Sequence, residues 1–393
     1  MNQRKQIRLN KYFLTACIAL LLSGCSKHNH TVERNIKMEK WQASAELSDH
    51  LTKEQLYENA LQEDTLVIYS VSSRVFEVKS SFEKEYPGLT VEVKDVRGND
   101  VVNMVRNNYE TEQYLCDLII CSDCDGSLYK ELLEPGIVFS YLPWDIKSKM
   151  KAGHADSELD FLGESILLFY NTNVFDQKPI SNIWELTEEQ YKGKIIMANP
   201  LSSFSTYGFC SAIFTESDKM KQAYYDYCGK ELVIPEGKSA GEVFWEMAAV
   251  NIIFTNSSDE VLEGIGNDDI WIGMMISSKM RYQELGYHFE PIYELNPFAA
   301  AYTPNCVSIV GGSKNVNSAK LFIRFLLGES DGTGIGYQPF STAGTWSSRV
   351  DVTDGNRVAL SEIDYVDLDK DYLYKNRDSM NAFWERLLQE NVK

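Results

Sequence analysis

From Thr65 onward, short apolar runs alternate with segments whose apolar residues recur at helical spacing. The runs Thr65–Ser70, Leu89–Val93 and Leu115–Cys121 are typical of buried strands. Between them, Val75–Tyr86 and Val101–Tyr109 are typical of amphipathic helices, and Pro87-Gly88 ends the first of these. Strands that alternate with helices in this way predict a parallel sheet with helices on both faces, an α/β fold.

The same alternation starts again further along the chain, with apolar runs at Ile166–Tyr170, Gly193–Ala198 and Asp269–Ile276. A segment typical of a helix, Trp184–Tyr191, lies between the first two runs. The run Cys306–Val310 and the helical segment Val316–Leu327 then indicate a return to the first region. A chain of 393 residues with 44% hydrophobic residues can build two such regions. We therefore expect two α/β lobes, with a chain that crosses between them more than once.

The N-terminus has the pattern of an export signal. Residues 1–11 carry Arg4, Lys5, Arg8 and Lys11 and no acidic residue, and the short apolar run Tyr12–Leu22 follows. The next residues, Leu22-Ser23-Gly24-Cys25, resemble the bacterial lipobox. This resemblance implies a signal peptide over residues 1–24 and acyl chains on Cys25 that anchor the protein outside the cytoplasm. The polar residues 25–50 are then a tether, and an ordinary secretory signal is the alternative.

The charge balance excludes several classes of partner. The formal net charge is −19, and removal of residues 1–24 would bring it to −23. Nucleic-acid binding requires clustered positive charge, so we expect no nucleic-acid partner. A strongly acidic surface also repels further copies of itself, so we expect a monomer.

Six cysteines follow Cys25, and the sequence leaves their state open. An exported chain could form disulfides among them. Cys121 and Cys124 have CxxC spacing, but no second pair completes a zinc site. We interpret them as buried or tolerated thiols and predict no metal and no cofactor.

Candidate binding residues come from the loops that follow strands, because open parallel sheets bind ligands beyond the carboxyl ends of their strands. Hydroxyl groups crowd these loops, and a helix N-terminus needs only one of them as a cap. The candidates are Ser72, Ser73, Arg74, Ser122, Asp123, Ser202, Ser203, Ser205, Thr206, Ser278, Lys279, Tyr302 and Thr303. The chain has no G-x-S-x-G elbow and no H-E-x-x-H motif, so we predict no catalytic residues.

Four short motifs follow one another along the chain. They are Leu56–Ala60 with Leu66–Ser70, Leu168–Thr172 with its Tyr-Asn-Thr, Trp184–Ile195 followed by Asn199-Pro200, and Ala319–Leu327. Their order resembles that of a solute-binding lipoprotein of an ABC importer, in the branch that binds ferric ion, phosphonates and sugar phosphates. In that family they are similar to the opening helix and first strand, a YNT crossover, a W-x-x-L … K-G-K-I segment and a late helix.

This resemblance implies the class II periplasmic-binding fold, two α/β lobes with a ligand cleft and hinge crossovers. We place lobe 1 at 51–167 and 297–393, and lobe 2 at 168–296. The implied function is capture of a small solute for delivery to ABC permease subunits. An enzyme or a sensory receptor on the same fold is the alternative from another class.

The identity of the solute stays open at this stage. Iron-binding members of the family carry two adjacent tyrosines after the strand spelled Ile270–Ile276, where this chain has Ser278 and Lys279. Ser278, Lys279 and the hydroxyl groups better suit an oxyanion such as a phosphate ester or a phosphonate. Ferric ion is one alternative. A polyamine held by Asp123, Asp125 and aromatic faces is another.

Overall fold

The computed structural model describes residues 33–156 and 158–391, except for the side chain of Asn99. The predicted signal peptide and Cys25 lie outside these residues. The chain divides into two compact units, Met1–Asp49 and His50–Lys393. In the described part of the first unit, residues 33–45 form helix α1, which the interpretation of this segment as a tether did not include.

The second unit is built on a mixed sheet whose strands follow one another along most of the chain. The strands are β1 (Leu66–Ser70), β2 (Val91–Asp95), β3 (Leu118–Ser122), β4 (Val138–Phe139), β5 (Asp160–Asn171), β6 (Ile195–Ala198), β7 (Ile252–Thr255), β8 (Ile272–Ile276), β9 (Phe289–Pro291), β10 (Ala300–Val310), β11 (Trp346–Ser347) and β12 (Tyr365–Val366).

The helices lie between these strands, as the alternation in the sequence predicts. They are α2 (Lys53–Ala60), α3 (Val75–Glu85), α4 (Gly98–Glu110), α5 (Phe204–Thr215), α6 (Ser217–Cys228), α7 (Ala240–Ala248), α8 (Ser258–Ile265), α9 (Val316–Leu326) and α10 (Lys370–Asn391). A 3₁₀ segment spans Ser277–Leu285, and a π-helix spans Leu128–Leu133. The segment predicted as a helix from Trp184 to Tyr191 instead forms two 3₁₀ turns, Ile183–Thr187 and Glu189–Tyr191.

The order of the strands in the sheet is β2-β1-β3-β10-β5-β8-β6-β7. The first half-sheet, β2-β1-β3, is parallel, and so is the second half-sheet, β8-β6-β7. Strands β10 and β5 join them and run antiparallel to each other and to their outer neighbours. The fold is therefore α/β, with two parallel half-sheets joined by two long crossing strands.

The pairing of β5 with β10 contains a β-bulge. Asn305 lies opposite Leu162, but the next residue, Cys306, lies opposite Asp160, so β5 carries one extra residue at this point. A bulge of this kind changes the face to which the flanking side chains point. Its effect on the two faces of β5 is described below.

Aromatic residues fill the core around the second half-sheet. Trp184, Trp245 and Trp384 are all fully buried there. Trp384 of α10 lies 5.1 Å from Trp245 of α7 between ring centroids, and Phe383 lies 5.2 Å from Phe214 of α5. The C-terminal helix is therefore packed on helices of the second half-sheet.

The same helix also reaches the first half of the molecule. Near its start, Lys370 pairs with Glu158 at 2.6 Å, and Arg377 pairs with Glu131 at 3.2 Å. Both acidic residues belong to the stretch 51–167. The assignment of residues 297–393 to lobe 1 stays a prediction, and α10 is the part of that range that contacts both halves.

Candidate functional site: a cleft between the half-sheets

A cleft of about 350 Å³ opens where the carboxyl ends of the two half-sheets face each other. Loops after β1, β2 and β3 form one wall, loops after β6 and β8 form the other, and β5 and β10 form the floor. The lining residues are Val71, Ser72, Ser73, Arg74, Asp95, Val96, Arg97, Gly98, Ser122, Glu164, Ser202, Phe204, Ser205, Ile276, Ser278, Lys279, Arg281, Thr303 and Asn305.

Four helical segments begin at this cleft. Helix α3 starts after Arg74, α4 starts at Gly98 and α5 starts at Phe204. The 3₁₀ segment Ser277–Leu285 starts one residue before Ser278. The first amide groups of a helix have no partner within the helix, and the helix dipole makes this end positive. The cleft is thus surrounded by helix ends that attract negative charge.

A hydrogen-bonded network forms the floor. The Arg74 guanidinium donates to Glu164 Oε1 at 2.6 Å, and Asn305 Nδ2 donates to Glu164 Oε2 at 2.9 Å. Ser122 Oγ donates to Asn305 Oδ1 at 3.2 Å. Arg74 also lies over the ring of Phe340, 4.7 Å from its centroid. The charge of Arg74 is therefore largely neutralised by Glu164, and both side chains are fixed in place.

Lys279 is neutralised in the same way. Its ammonium group donates to Asp259, and it lies 5.4 Å from the centre of the Tyr282 ring. The residue is buried, as is its neighbour Ser278. Lys279 therefore reaches the cleft as one half of an ion pair.

Two cations in the cleft have no carboxylate partner. Within the described residues, neither Arg97 nor Arg281 forms a salt bridge. Arg97 is exposed at the start of α4. Arg281 is half-buried, donates to the backbone oxygen of Ser278 at 2.6 Å and lies over the Tyr282 ring. These two guanidinium groups carry the positive charge that the cleft can offer to a bound molecule.

The two walls of the cleft approach each other closely at Gly98 and Phe204. A methyl group added at Gly98 would lie 2.5 Å from Cδ1 of Phe204, which is closer than real contacts allow. Only glycine lets the wall formed by α4 approach the wall formed by α5 this closely.

Comparison with known proteins agrees with this architecture. The sequence profile of a family described as bacterial extracellular solute-binding protein matches residues 67–333, well over half of the chain. The chain belongs to this family. No curated protein matches the chain significantly.

Solved structures of binding proteins share the fold of this family member. Iron-bound HitA from Pseudomonas aeruginosa superposes with a TM-score of 0.62 at 14% identity, over 82% of this chain and 99% of that chain. AfuA from Actinobacillus pleuropneumoniae, with exogenous fructose-6-phosphate bound, gives 0.63 at 17% identity, over 83% and 99%. The substrate-binding protein of an ABC transporter from Agrobacterium tumefaciens gives 0.60 at 12% identity, over 84% and 94%. The expected two-lobed α/β fold is confirmed.

The structure brings most of the candidate residues of this solute-binding family member together in the cleft. Ser72, Ser73, Arg74, Ser122, Ser202, Ser205, Ser278, Lys279 and Thr303 all line it. Ser203 and Thr206 do not, because their hydroxyl groups bond each other at 2.9 Å at the start of α5. That these residues bind a solute stays a prediction.

Asp123 and Tyr302 lie on the other side of β10. They line a second cavity of about 350 Å³, here called the back cavity, together with Ala152, Gly153, His154, Asp160, Pro304, Tyr365, Asp367, Leu368 and Lys370. Asp123 accepts hydrogen bonds from the backbone amides of Leu128 and Tyr129. Burial raises the pKa of its carboxyl to about 7, although Lys370 lies 3.9 Å away. In this structure Asp123 stabilises the start of the π-helix.

Sequence reasoning missed the loop Asp95–Gly98, which follows β2. This loop obeys the same rule as the candidates, since it joins a parallel strand to a helix at the same edge of the sheet. It was overlooked because it lacks the clustered hydroxyl groups that mark the other loops. Glu164 and Asn305 were missed for another reason: they lie inside long strands, and only the pairing of β5 with β10 places them in the cleft.

The six cysteines of the described residues are free, and all but Cys228 are buried. The described part contains no disulfide. Among the described residues, no helix combines the length and apolarity needed to cross a bilayer.

Proposed function

We propose that this protein is the extracytoplasmic receptor of an ABC importer, and that its cleft captures a small oxyanion such as a phosphate ester or a phosphonate. Lobe 1 (51–167 and 297–393) and lobe 2 (168–296) would close on the solute by bending at β5 and β10. Acyl chains on Cys25 would hold the receptor at the membrane, where it would deliver the solute to the permease subunits.

The observation that carries this proposal is that the cleft is positively charged although the chain as a whole is negatively charged. The chain has a net charge of −19, yet the N-termini of three α-helices and one 3₁₀ segment meet in one cleft. The guanidinium groups of Arg97 and Arg281 lie there too, with no carboxylate partner in the described part of the chain. Positive charge of this kind would repel a bound cation. It suits a phosphate group, which binds helix N-termini and forked guanidinium groups well.

The alternatives find less support in the same residues. HitA is described as iron-bound, but no tyrosine or histidine is among the described residues that line this cleft. A polyamine needs carboxylates; of the two that line the cleft, Glu164 is already paired with Arg74. The fructose-6-phosphate bound to AfuA supports a phosphate ester as the first compound class to test.

An enzymatic role would require a nucleophile with a base beside it. The cleft offers serine hydroxyl groups, but no histidine or cysteine lies among its described lining residues. A receptor retains its ligand unchanged, so purified protein that converts the solute which stabilises it would overturn this part of the proposal.

A sensory role predicts solute binding without uptake by membranes that contain the cognate permease.

The decisive experiment is a thermal-shift screen with sugar phosphates, phosphonates, polyamines and ferric citrate, followed by calorimetry. We expect stabilisation by one class of oxyanion, because a ligand that binds only the folded state raises the melting temperature by mass action. Arg281→Gln should weaken that binding by more than about tenfold, since a charge-assisted hydrogen bond contributes about 1.5–3 kcal/mol. The control is Arg357→Gln, an exposed arginine outside the cleft. Stabilisation by polyamine or iron alone would contradict the proposal.

A further inference from the structure

A cluster of metal-ligating side chains lies on the back of the two crossing strands, away from the cleft. Glu158, Asp160 and Cys306 each place one donor atom so that all three atoms lie within 4.8 Å of one another. Cys306 Sγ lies 3.2 Å from Glu158 Oε2 and 3.2 Å from Asp160 Oδ1. All three residues are buried, with exposed fractions of 8% or less.

The distances match a small tetrahedral ion. With Zn–S and Zn–O bonds of about 2.3 and 2.1 Å, a tetrahedral zinc ion separates sulfur from oxygen by about 3.6 Å. The two sulfur-to-oxygen distances of 3.2 Å therefore need to widen by only a few tenths of an ångström. A thiolate beside two carboxylates is also a ligand set that favours zinc over magnesium or calcium, which prefer oxygen alone.

The charges around the cluster do not balance. Asp123, Glu158 and Asp160 bring three buried carboxylates together, and the lysine or arginine paired with them among the described residues is Lys370, at 2.6 Å from Glu158. The nearby Asp125 has its own partner in Arg377 at 3.7 Å. The carboxylate oxygen Glu158 Oε1 is buried without a hydrogen-bond partner. Cys306 would bind as a thiolate and release its proton, and a divalent cation would offset two of the remaining negative charges and occupy the free oxygen.

The surroundings also provide an entry path and a support for one ligand. The back cavity opens beside Asp160, so an ion and a water molecule have room to enter. His154 Nδ1 lies 3.3 Å from Asp160 Oδ2, on the side away from Cys306. Such an outer partner orients a metal-bound carboxylate and is a regular part of metal sites.

We propose that Glu158, Asp160 and Cys306 form a binding site for a zinc-class divalent cation on the back of the crossing strands. His154 holds Asp160 in position, and a water molecule takes the fourth coordination place, facing the back cavity. The inference stands apart from the proposed function, because none of the three ligands belongs to the cleft.

The test uses the full protein after chelation, titrated with Co²⁺ as a spectroscopic probe and then with Zn²⁺. We expect one equivalent of Co²⁺ to give a thiolate-to-metal charge-transfer band that Zn²⁺ abolishes by displacement. Cys306→Ser should remove the band and weaken Zn²⁺ binding by more than about tenfold. Cys210→Ser is the matched control, since Cys210 is equally buried but belongs to the core around the second half-sheet, so its band should persist.

A second variant separates metal binding from misfolding. Glu158→Gln keeps the size of the side chain and removes one ligand charge, so a correctly folded protein with weakened Zn²⁺ binding supports the site. Failure to bind Co²⁺, or cobalt binding without a thiolate band, would overturn the inference. So would Zn²⁺ affinity that is unchanged in both Cys306→Ser and Glu158→Gln.

Discussion

The two faces of strand β10 have opposite electrostatic character. Thr303 and Asn305 point into the cleft, where Arg97 and Arg281 have no carboxylate partner among the described residues. Tyr302 and Pro304 point into the back cavity, and Cys306 lies among carboxylates that outnumber their cationic partner. Adjacent residues of one strand therefore line two sites of opposite charge. The negative net charge of the chain agrees with the charge of the back and not with that of the cleft.

Burial explains why the two faces differ in their effect on the protein. The free cations of the cleft are exposed or half-buried, so water solvates them and a solute can reach them. The carboxylates at the back are nearly inaccessible, so they must be neutralised for the chain to fold. We expect substitutions at the front to change binding and substitutions at the back to change stability.

The largest expected effect is a loss of folding stability, caused by a substitution among the carboxylates at the back of β10. Lys370→Met removes the cation beside three buried carboxylates, and removal of one partner of a buried ion pair costs about 3–5 kcal/mol. We expect a loss of unfolding free energy of about 3 kcal/mol in metal-free protein, measured by urea denaturation at about pH 8. Lys375→Met, an exposed lysine of the same helix, should change little. Equal stability of the two variants would show that the back carboxylates are already neutralised without Lys370.

The second effect is on the front and concerns affinity. Arg97→Gln and Arg281→Gln should each weaken solute binding by tens of fold, because each removes about 1.5–3 kcal/mol of charge-assisted hydrogen bonding. Lys279→Ala should weaken it less, because Asp259 already neutralises that ammonium group. Calorimetry with the solute identified by screening measures all three. The reverse order, with Lys279 dominant, would mean that its pair with Asp259 opens on binding.

The third effect concerns the contact between the walls. Gly98→Ala places a methyl group against Phe204 and should hold the cleft open, which lowers solute affinity by about tenfold through population shift. Small-angle scattering should show the saturated variant to be less compact than the saturated parent protein. Gly355→Ala, where the added methyl group meets nothing within 4 Å, is the control. Affinity restored by the second change Phe204→Ala would confirm the steric cause.

The smallest expected effect is on the pH dependence of stability, and it arises at a charged cluster that shares no residue with the cleft or the back cavity. Arg324 holds Asp145 through two hydrogen bonds of 2.6 Å, and these lower the pKa of the Asp145 carboxyl below its usual 3.8. The folded-state pKa lies below the unfolded value, so the ion pair stabilises the protein fully well above pH 3.8. This stabilisation is lost as the pH falls through the folded-state value. Asp145→Asn should flatten that acid-side loss in melting-temperature profiles, whereas Asp268→Asn, at an exposed position without a salt bridge among the described residues, should not.

The alternation of strands and helices was predictable because each element buries apolar residues, and the spacing of these residues in the sequence distinguishes a helix from a strand. The side-chain oxygen of Ser257 caps α8 and that of Thr52 caps α2, which are positions where a hydroxyl group is common. The cleft loops marked by serine were predictable too, since their strands are parallel and end at the same edge. Elements, caps and loops of this kind depend on residues that are close together in the sequence, so patterns in the sequence reveal them.

What was not predictable depends on partners distant in sequence. Arg74 and Lys279 were the two cations among the candidate residues, but Glu164 and Asp259 neutralise them, and neither acidic residue is near in sequence to its partner. The back site joins Glu158 and Asp160 to Cys306, which only the pairing of β5 with β10 brings together. Spacing along the chain carries no information about such contacts.

The bulge at Phe161 has a consequence for how this chain tolerates change. Side chains two or four residues apart in a regular strand share a face, yet Asp160 lies at the back and Glu164 at the front. The extra residue is what separates them. Deletion of Phe161 would make the pairing regular and leave Asp160 opposite Cys306, whereas regular pairing that included Phe161 would turn Asp160 toward the cleft. One extra residue therefore gives one long strand two chemically distinct surfaces, and the face that Asp160 occupies depends on how the strand is paired, not on the identity of residue 161.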